Sequence, residues 1–236
     1  MSEPEPRPLS LELVSSSDLS PSVKSLLLWS DAGADFHWIP GQYVELVVPG
    51  SAVQRQPYSI ASVADREKPG CFELAVQRGP DTAPLHELAP GARLAAHGPL
   101  GNFTRARAVA GAALFVAGGT GVAPLRAMIL DQLAEAAPTS SILLFGVRSR
   151  ADLLWEQELT ELSRRSPHFR FEPTLSRPEE TWNGRRGYVQ QHFAELVGLL
   201  PGAPVFVCGS PRMVDECVEA LQAQGVERAR IVTEKQ

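Results

Sequence analysis

The chain has 236 residues, of which 44% are hydrophobic and 21% are charged, an ordinary composition for a globular protein. Its net charge of −5 disfavours a nucleic-acid-binding role, and no apolar run approaches the ~20 residues that a membrane-spanning helix requires. The cysteines Cys71, Cys208 and Cys217 form no Cys-x-x-Cys pair and the histidines show no metal-binding spacing. We therefore expect no metal site and no iron–sulfur cluster, and a reducing, cytoplasmic location.

Residues 10 to 106 show the signals of a small β-domain. Short strands are predicted at 11–14, 23–29, 43–48, 58–62 and 72–76, with a helical turn at 85–88. Pro-Gly pairs predict turns at 40–41, 49–50, 69–70 and 90–91. Several short strands at this spacing favour an antiparallel β-barrel.

Residues 107 to 236 follow a different pattern, in which apolar strands alternate with helices. Strands are predicted at 113–117, 142–147, 169–175, 205–208 and 231–234, and helices at 123–136, 151–163, 188–197 and 211–224. This alternation predicts a doubly wound α/β domain with a parallel sheet. Such sheets bind ligands beyond the carboxyl ends of their strands.

Two segments carry most of the functional signal. The turn Gly118-Gly119-Thr120-Gly121 lies between an apolar strand and a predicted helix, which lets backbone N–H groups approach a pyrophosphate. The strand that contains Tyr58-Ser59 lies in the separate β-rich half. Together they indicate a chain that holds two nucleotides face to face.

Four segments resemble motifs of one family, in the same order. Residues 58–62 resemble the Arg-x-Tyr-Ser flavin motif of the ferredoxin–NADP reductase family, and residues 98–103 its Gly-Pro-x-Gly-x-Phe segment. Residues 118–124 and 208–214 resemble its nicotinamide-nucleotide and Cys-Gly-x-Pro-x-Met motifs. The resemblance spans nearly the whole chain. It implies bound FAD (rather than FMN), NADPH or NADH as the electron donor, and an external electron acceptor.

The resemblance also implies the flavin-binding residues. Tyr58 would lay its ring on the flavin, unless it is a core aromatic, and Thr82 stands for the serine of a second flavin segment, or is an ordinary helix N-cap. The full set is Arg55, Gln56, Tyr58, Ser59, Ile60, Ala61, Val76, Thr82, Gly98 and Pro99.

The flavin motif departs from the family at its arginine. Gln56 occupies the motif position two residues before Tyr58, and Arg55 lies one residue further back. A bulge at Gln56-Pro57 would bring Arg55 back to the flavin pyrophosphate, or else Gln56 contacts it with an uncharged amide. Because proline fits a bulge or an edge strand, the bulge is favoured.

In the second domain the resemblance implies a dinucleotide site. Arg148 follows one strand, and Ser176-Arg177 resemble the pair that grips a 2′-phosphate, which favours NADPH although exposed arginines after strands are common. The full set is Gly118, Gly119, Thr120, Gly121, Pro124, Arg148, Ser176, Arg177 and Gly209.

Three residues are candidates for catalysis. The resemblance places the Ser59 hydroxyl near the hydride-accepting nitrogen, Cys208 beside the nicotinamide, and Glu234 where it assists proton exchange. The alternatives are a solvent-facing serine, a small buried hydrophobe and a charged tail residue. The chain ends Glu234-Lys235-Gln236 without the aromatic residue that covers the flavin in many NADP-specific members. This ending fits an oxygenase reductase or a flavin reductase.

Three functions remain open at this point. The first is a reductase that serves a ferredoxin, flavodoxin, oxygenase or haem protein. The second is a free flavin or quinone reductase. The third is a flavin-bound subunit of a larger complex without independent turnover. We expect a monomer or a loose dimer in each case.

Overall fold

The computed structural model describes residues 5–48, 55–105, 111–135 and 139–236. These ranges contain two six-stranded sheets, one antiparallel and one parallel. The predicted architecture of a β-barrel followed by an α/β domain is confirmed. The predicted domain boundary, between residues 106 and 107, and the predicted turn at 49–50 lie outside the described residues.

The first sheet is a nearly closed barrel with the strand order β4-β3-β6-β1-β2-β5. A bridge between Ile60 and Leu74 joins its two edge strands. Leu9, Leu11 and Leu13 alternate with more exposed residues along β1, so one face fills the barrel. The elements are β1 (Arg7–Ser20), β2 (Val23–Ser30), β3 (Tyr43–Leu46), β4 (Gln56–Ser59), β5 (Cys71–Gln77), β6 (Arg93–Leu100) and the short helix α1 (Ala83–His86).

The second sheet is parallel, with the order β10-β9-β8-β7-β11-β12. Its strands are β7 (Ala113–Gly118), β8 (Ser141–Val147), β9 (Phe169–Leu175), β10 (Arg185–Arg186), β11 (Val205–Gly209) and β12 (Ile231–Lys235). The helices are α2 (Val122–Leu133), α3 (Glu156–Arg165), α4 (Phe193–Leu199) and α5 (Pro211–Ala223).

Both faces of this sheet are covered, which explains its continuous apolar strands. Phe115 of β7 packs in the cluster that contains α2 and α3, and its neighbours Leu114 and Val116 pack in the cluster that contains α4 and α5. The first cluster also includes Ala61 and Ala75 of the barrel, so the two domains share an apolar interface.

Several element bounds differ from the sequence prediction. Strand β6 was not predicted, and β1 is much longer than 11–14. Helix α3 begins at Glu156 rather than 151, because Ser149 and Asp152 form a capping box around a separate 3₁₀ turn. The predicted helix 188–197 splits into a 3₁₀ turn and α4. The helix predicted at 123–136 ends earlier, at Leu133, with Ala134 as its C-cap, and residue 136 lies outside the described residues.

None of the helices in the described ranges is long and apolar enough to cross a membrane. The same ranges contain no group of three or more His, Cys, Asp and Glu side chains that could hold a metal ion.

Candidate functional site

Two adjoining cavities lie between the domains. The larger, about 950 Å³, opens beyond the carboxyl ends of β7, β8, β9 and β11, and the smaller, about 430 Å³, lies beside β4. Gln77, Thr120 and Gln236 line both cavities. The two cavities are therefore neighbours with a common wall, as the face-to-face arrangement of two nucleotides requires.

The glycine turn forms part of the wall of the larger cavity. A Cβ atom on Gly118 would lie 2.2 Å from Met213 Sδ, and one on Gly121 would lie 2.3 Å from the Cys208 carbonyl oxygen. Gly119 has a φ of +56° and open space where its Cβ would be. The turn leads directly into α2, whose N-terminus favours an anion. A phosphate can thus approach the backbone where side chains would block it.

Arg148 and Arg177 line the larger cavity near the ends of β8 and β9. The Arg177 N–H donates to the Arg148 carbonyl oxygen at 2.8 Å, which holds the two segments together. In the described part of the chain neither guanidinium has a side-chain hydrogen bond or an ion pair. By contrast, Arg150 pairs with Glu156. The structure therefore distinguishes two guanidinium groups available to a ligand from arginines that are already paired.

An acidic residue also lines this cavity. Asp152 accepts hydrogen bonds on Oδ2 from the Ser149 N–H (3.0 Å) and the Ser149 hydroxyl (2.8 Å). Ser176 lines the same wall. Arg212 and Glu216, which also line the cavity, pair with each other, so the guanidinium groups of Arg148 and Arg177 outnumber the single carboxylate of Asp152.

The smaller cavity is lined by β4. The Tyr58 hydroxyl donates to Gln56 Oε1 at 2.9 Å, and Gln56 Nε2 donates to the Asp81 carbonyl oxygen at 3.4 Å. Burial, with a smaller contribution from Asp81, raises the pKa of Tyr58 to about 12. The phenol is therefore neutral. Tyr58 belongs to the barrel core and also lines the cavity, and its stacking on the flavin stays a prediction.

The expected bulge at Gln56-Pro57 is wrong. Gln56 and Pro57 pair one to one with Leu46 and Glu45 of β3. Proline is tolerated there without a bulge because β4 is an edge strand. Gln56 lines the cavity, whereas Arg55 Nη1 lies 3.7 Å from Glu45 Oε2 and is not among the lining residues. The assignment of Arg55 to the flavin stays a prediction.

Thr82 lines the same cavity. It occupies the N-cap position of α1, but its hydroxyl makes no cap and donates instead to the Gln77 carbonyl oxygen at 2.6 Å. The hydroxyl oxygen keeps the capacity to accept a hydrogen bond.

Several predicted residues lie behind the cavity walls. A Cβ on Gly98 would lie 2.8 Å from Val44 Cγ1, so this glycine permits the close approach of β6 to β3. Ile60, Ala61 and Val76 are fully buried. Their predicted contacts with the cofactor stay predictions. The predicted residues outside both walls are Arg55, Ile60, Ala61, Val76, Gly98, Pro99, Gly121, Pro124 and Cys208.

A chain of hydrogen bonds crosses the common wall. Thr120 Oγ1 donates to Gln236 Oε1 (3.1 Å), and Gln236 Nε2 donates to Ser59 Oγ (3.0 Å). Ser59 Oγ in turn donates to Glu234 Oε1 at 3.4 Å. Burial raises the pKa of Glu234 to about 7, against the opposing effect of the Ser59 hydrogen bond. The structure thus brings together Ser59 from the barrel with Thr120 and Glu234 from the second domain.

Cys208 is fully buried on β11, paired with Glu234 of β12. Burial and the neighbouring Glu234 hold the pKa of its thiol well above the usual value, so the thiol is neutral. Gly209, the next residue, lines the larger cavity.

Sequence reasoning missed several wall residues. Tyr43 lines the smaller cavity, and Ser20, Tyr188 and Arg212 line the larger. Gln236 follows Glu234 by two residues and so shares its face of the chain, a period-two signal that was present in the sequence. Ser20 carries no such signal, because only the docking of the domains brings it to the cavity.

The comparisons with known proteins agree with this arrangement. The family model described as "Oxidoreductase FAD-binding domain" matches residues 10–104, and the one described as "Oxidoreductase NAD-binding domain" matches residues 115–219. Ferredoxin--NADP reductase B of Sorangium cellulosum is 42% identical over 97% of this chain and 97% of that protein.

Two longer relatives are also similar. The reductase subunit of an aromatic O-demethylase from Amycolatopsis is 38% identical over 83% of this chain and 60% of that protein. The crystal structure of an Amycolatopsis cytochrome P450 reductase has a TM-score of 0.85 at 33% identity and covers 98% of this chain and 70% of that one. The chain therefore spans about three fifths of the length of that reductase subunit.

The fold and the matched domains define an oxidoreductase that uses FAD and NAD(P)H. The site fits these two nucleotides. The glycine turn at 118–121 leaves room for a pyrophosphate, the guanidinium groups of Arg148 and Arg177 are unpaired, and two cavities adjoin. The chain belongs to the ferredoxin–NADP reductase-like family of flavoproteins. Its activity is electron transfer from NAD(P)H through FAD to an external acceptor.

Proposed function

We propose that this chain is an NADPH-preferring reductase that passes electrons singly to a separate acceptor protein. The observation that carries the proposal is the hydrogen-bond chain from Thr120 to Glu234 across the wall that the two cavities share. When bound, FAD supplies the redox chemistry, accepting a hydride from the nicotinamide and releasing electrons to the acceptor. The protein supplies binding, orientation and proton handling.

In this proposal the smaller cavity holds the flavin. Tyr58 offers its ring for stacking, and its hydroxyl bond to Gln56 fixes the ring against the barrel. Gln56 and Thr82 supply uncharged polar groups to the wall. An uncharged amide at position 56 is a weaker phosphate ligand than an arginine, so stacking and apolar contact carry more of the flavin affinity here.

The larger cavity holds the nicotinamide nucleotide. Gly118 to Gly121 and the N-terminus of α2 receive its pyrophosphate. Arg148 and Arg177 receive the 2′-phosphate, which distinguishes NADPH from NADH. The preference follows from two guanidinium groups that have no carboxylate partner among the described residues.

Ser59 and Glu234 handle the proton. With its pKa raised to about 7, Glu234 is protonated in an appreciable fraction of molecules near neutral pH. Ser59 and Glu234 both line the smaller cavity and are hydrogen-bonded to each other, so the Ser59 hydroxyl can relay a proton and orient the bound ring. Cys208 contributes by packing, since its buried thiol stays neutral.

The acceptor is proposed from the relatives' names. One relative is named a ferredoxin--NADP reductase and another the reductase subunit of an aromatic O-demethylase, and both names imply a separate protein acceptor.

We place the domain boundary between residues 106 and 107. We also propose a monomer or a loose dimer, because the large apolar side chains exposed in the described ranges lie on separate segments of the chain: Val14, Val47, Tyr188 and Leu199. The three free cysteines fit a cytoplasmic location.

The test is a screen of acceptors under steady-state turnover with NADPH. We expect faster turnover with a [2Fe–2S] ferredoxin or a flavodoxin than with free FMN or a quinone. Saturable turnover with free FMN and none with the protein acceptors would make the chain a free flavin reductase. Reduction of the bound flavin without turnover of any acceptor would make it a subunit that works only within a complex.

A further inference from the structure

One arginine is buried between the two domains, away from both cavities. Arg126 lies one turn into α2 and is 8% exposed. Its Nε and Nη2 atoms donate to the two carboxylate oxygens of Glu158 on α3, both at 2.9 Å. This paired geometry is the strongest that a guanidinium and a carboxylate form, and it fixes the plane of the arginine within the second domain.

The remaining guanidinium nitrogen reaches the barrel. Arg126 Nη1 donates to Glu73 Oε2 and to the Ala61 carbonyl oxygen, each at 2.8 Å. The other oxygen of Glu73 accepts from the Trp155 indole at 3.1 Å and from the Ser25 hydroxyl at 2.6 Å. One side chain of the second domain is thus bonded to a side chain and to the backbone of the first.

Trp155 completes this cluster. Its ring centroid lies 4.6 Å from Arg126 Cζ, which adds a cation–π contact to the indole hydrogen bond. Among the residues that the structure describes, Trp155 is the only non-glycine with a positive φ, at 50°. A backbone held in this costly region indicates that its surroundings fix the tryptophan in place.

The cluster connects the two sides of the site through short, rigid segments. Ala61 follows Ser59 by two residues, and its N–H is bonded to the Glu73 carbonyl oxygen at 2.8 Å. Arg126 lies on the helix that begins directly after the Gly118–Gly121 turn, which contains Thr120. Ser59 and Thr120 are the two hydroxyls that Gln236 joins across the common wall. The guanidinium therefore ties together the backbones that carry both hydroxyls.

We propose that Arg126 is a positioning residue that sets the distance between the flavin side and the nicotinamide side of the site. This inference rests on the proposed function, in which the two nucleotides react across the common wall. The reaction is sensitive to this distance because reacting atoms must approach within about 3–3.5 Å, and a 1 Å displacement costs about 100-fold in rate. Arg126 touches neither cavity and acts through Ala61, Glu73 and α2.

The test compares Arg126→Lys with the unchanged protein. Lysine keeps the charge but lacks the planar fork, so it cannot hold Glu158, Glu73 and Ala61 together. Trp155→Phe is a second, milder variant, which removes the indole N–H bond to Glu73 and keeps a ring. Arg164→Lys is the matched control, because Arg164 lies exposed on α3 and pairs only with Glu161.

Two measurements decide the outcome. In the flavin-free protein, amide hydrogen exchange of segments 59–63 and 119–123 should become faster in Arg126→Lys while exchange of β1, β2 and β8 is unchanged. In the flavin-loaded protein, the rate of flavin bleaching at saturating NADPH, per bound FAD, should fall about 10- to 100-fold, while the Kd for NADPH changes less than about threefold. Trp155→Phe should shift both in the same direction by less, and Arg164→Lys should shift neither.

An unchanged bleaching rate per bound FAD in Arg126→Lys would overturn the proposal. So would faster exchange spread evenly over both domains, which would give Arg126 a general role in stability. If Arg126→Lys does not fold, Trp155→Phe decides on the same two measurements. If NADPH fails to bleach the unchanged protein, the proposed function is wrong. The hydrogen-exchange result in the flavin-free protein then still shows whether Arg126 holds segments 59–63 and 119–123 together.

Discussion

The Ser59 hydroxyl of the barrel donates to the Glu234 carboxylate of the last strand at 3.4 Å, so the two domains meet through a hydroxyl and a half-buried acid. The same hydroxyl accepts from Gln236, which is bonded to Thr120. The Ser59–Glu234 contact lines the smaller cavity, and Gln236 connects it to the wall that the two cavities share. It gives the smaller cavity a proton-holding group that is linked by hydrogen bonds to the common wall.

Glu234 should make turnover depend on pH. Its pKa is raised to about 7, chiefly by burial, so the acid is protonated below that pH and ionised above it. If the protonated form supports turnover, kcat should fall as the pH rises through about 7, and Glu234→Gln should abolish that decline. A decline of the same midpoint in Glu234→Gln would assign the titration to another group.

The same pKa shift predicts a change in stability. Because the folded state holds the proton more tightly than the unfolded state, stability conferred by protonated Glu234 is full below about pH 4.5 and is lost as the pH rises to about 7. Urea midpoints measured at about pH 5 and pH 8 should therefore differ less in Glu234→Gln than in the unchanged protein. Equal differences in both proteins would contradict the raised pKa.

Arg177→Ala should weaken NADPH far more than NADH. A charge-assisted hydrogen bond contributes roughly 1.5–3 kcal/mol, which corresponds to a loss of about 10- to 150-fold in NADPH affinity. Arg150→Ala is the matched control, because Arg150 follows the neighbouring strand β8 but pairs with Glu156 and is not among the residues that line the cavity. Kd values for both nucleotides provide the measurement. An equal loss for NADPH and NADH would contradict the 2′-phosphate role.

Tyr58→Ala should lower FAD retention, because the ring lines the smaller cavity. Tyr58→Phe keeps the ring and removes only the hydroxyl bond to Gln56, so it should retain most of the flavin. Flavin content after gel filtration and Kd by fluorescence titration distinguish the two variants. If Tyr58→Ala binds FAD as well as the unchanged protein does, the ring serves only the barrel core.

The glycine turn makes a steric prediction. A Cβ on Gly121 would meet the Cys208 carbonyl oxygen, a backbone atom, whereas a Cβ on Gly118 would meet the Met213 side chain. Gly121→Ala should therefore be the more destabilising, on the order of 1–3 kcal/mol as for overpacked cores. Gly198→Ala, where nothing lies within 4 Å, is the control. Chemical denaturation measures all three, and equal effects of Gly118→Ala and Gly121→Ala would contradict the steric reading.

The sequence predicted the two-domain fold because the periodicity changes from short strands to alternating strands and helices near residue 106. It predicted the glycine turn because a run of glycines, which lack a Cβ atom, directly indicates a tight turn that a ligand can approach closely. It did not predict the straight pairing of Gln56 and Pro57, because an edge strand tolerates proline without a bulge. Whether Arg55 or Gln56 takes the place of the motif arginine could therefore be judged only from the observed register of β4.

Other parts of the site depend on docking of the domains. The Thr120–Gln236–Ser59 bonds join residues more than a hundred positions apart, and no local pattern relates them. The burial of Arg126 was equally hidden, because nothing in the sequence of α2 indicates that its single arginine is buried against Glu73. The unpaired state of Arg148 and Arg177 likewise required the positions of the surrounding carboxylates.

The most direct measurement is anaerobic stopped-flow mixing of the FAD-loaded protein with NADPH, followed at the flavin absorbance. If the two nucleotides meet across the common wall of Gln77, Thr120 and Gln236, the flavin should bleach in a saturable step that is at least as fast as steady-state turnover. The bleaching should reach half of its maximal rate at a lower concentration of NADPH than of NADH. Bleaching that is slower than turnover, or absent with both nucleotides, would contradict direct transfer between the two cavities.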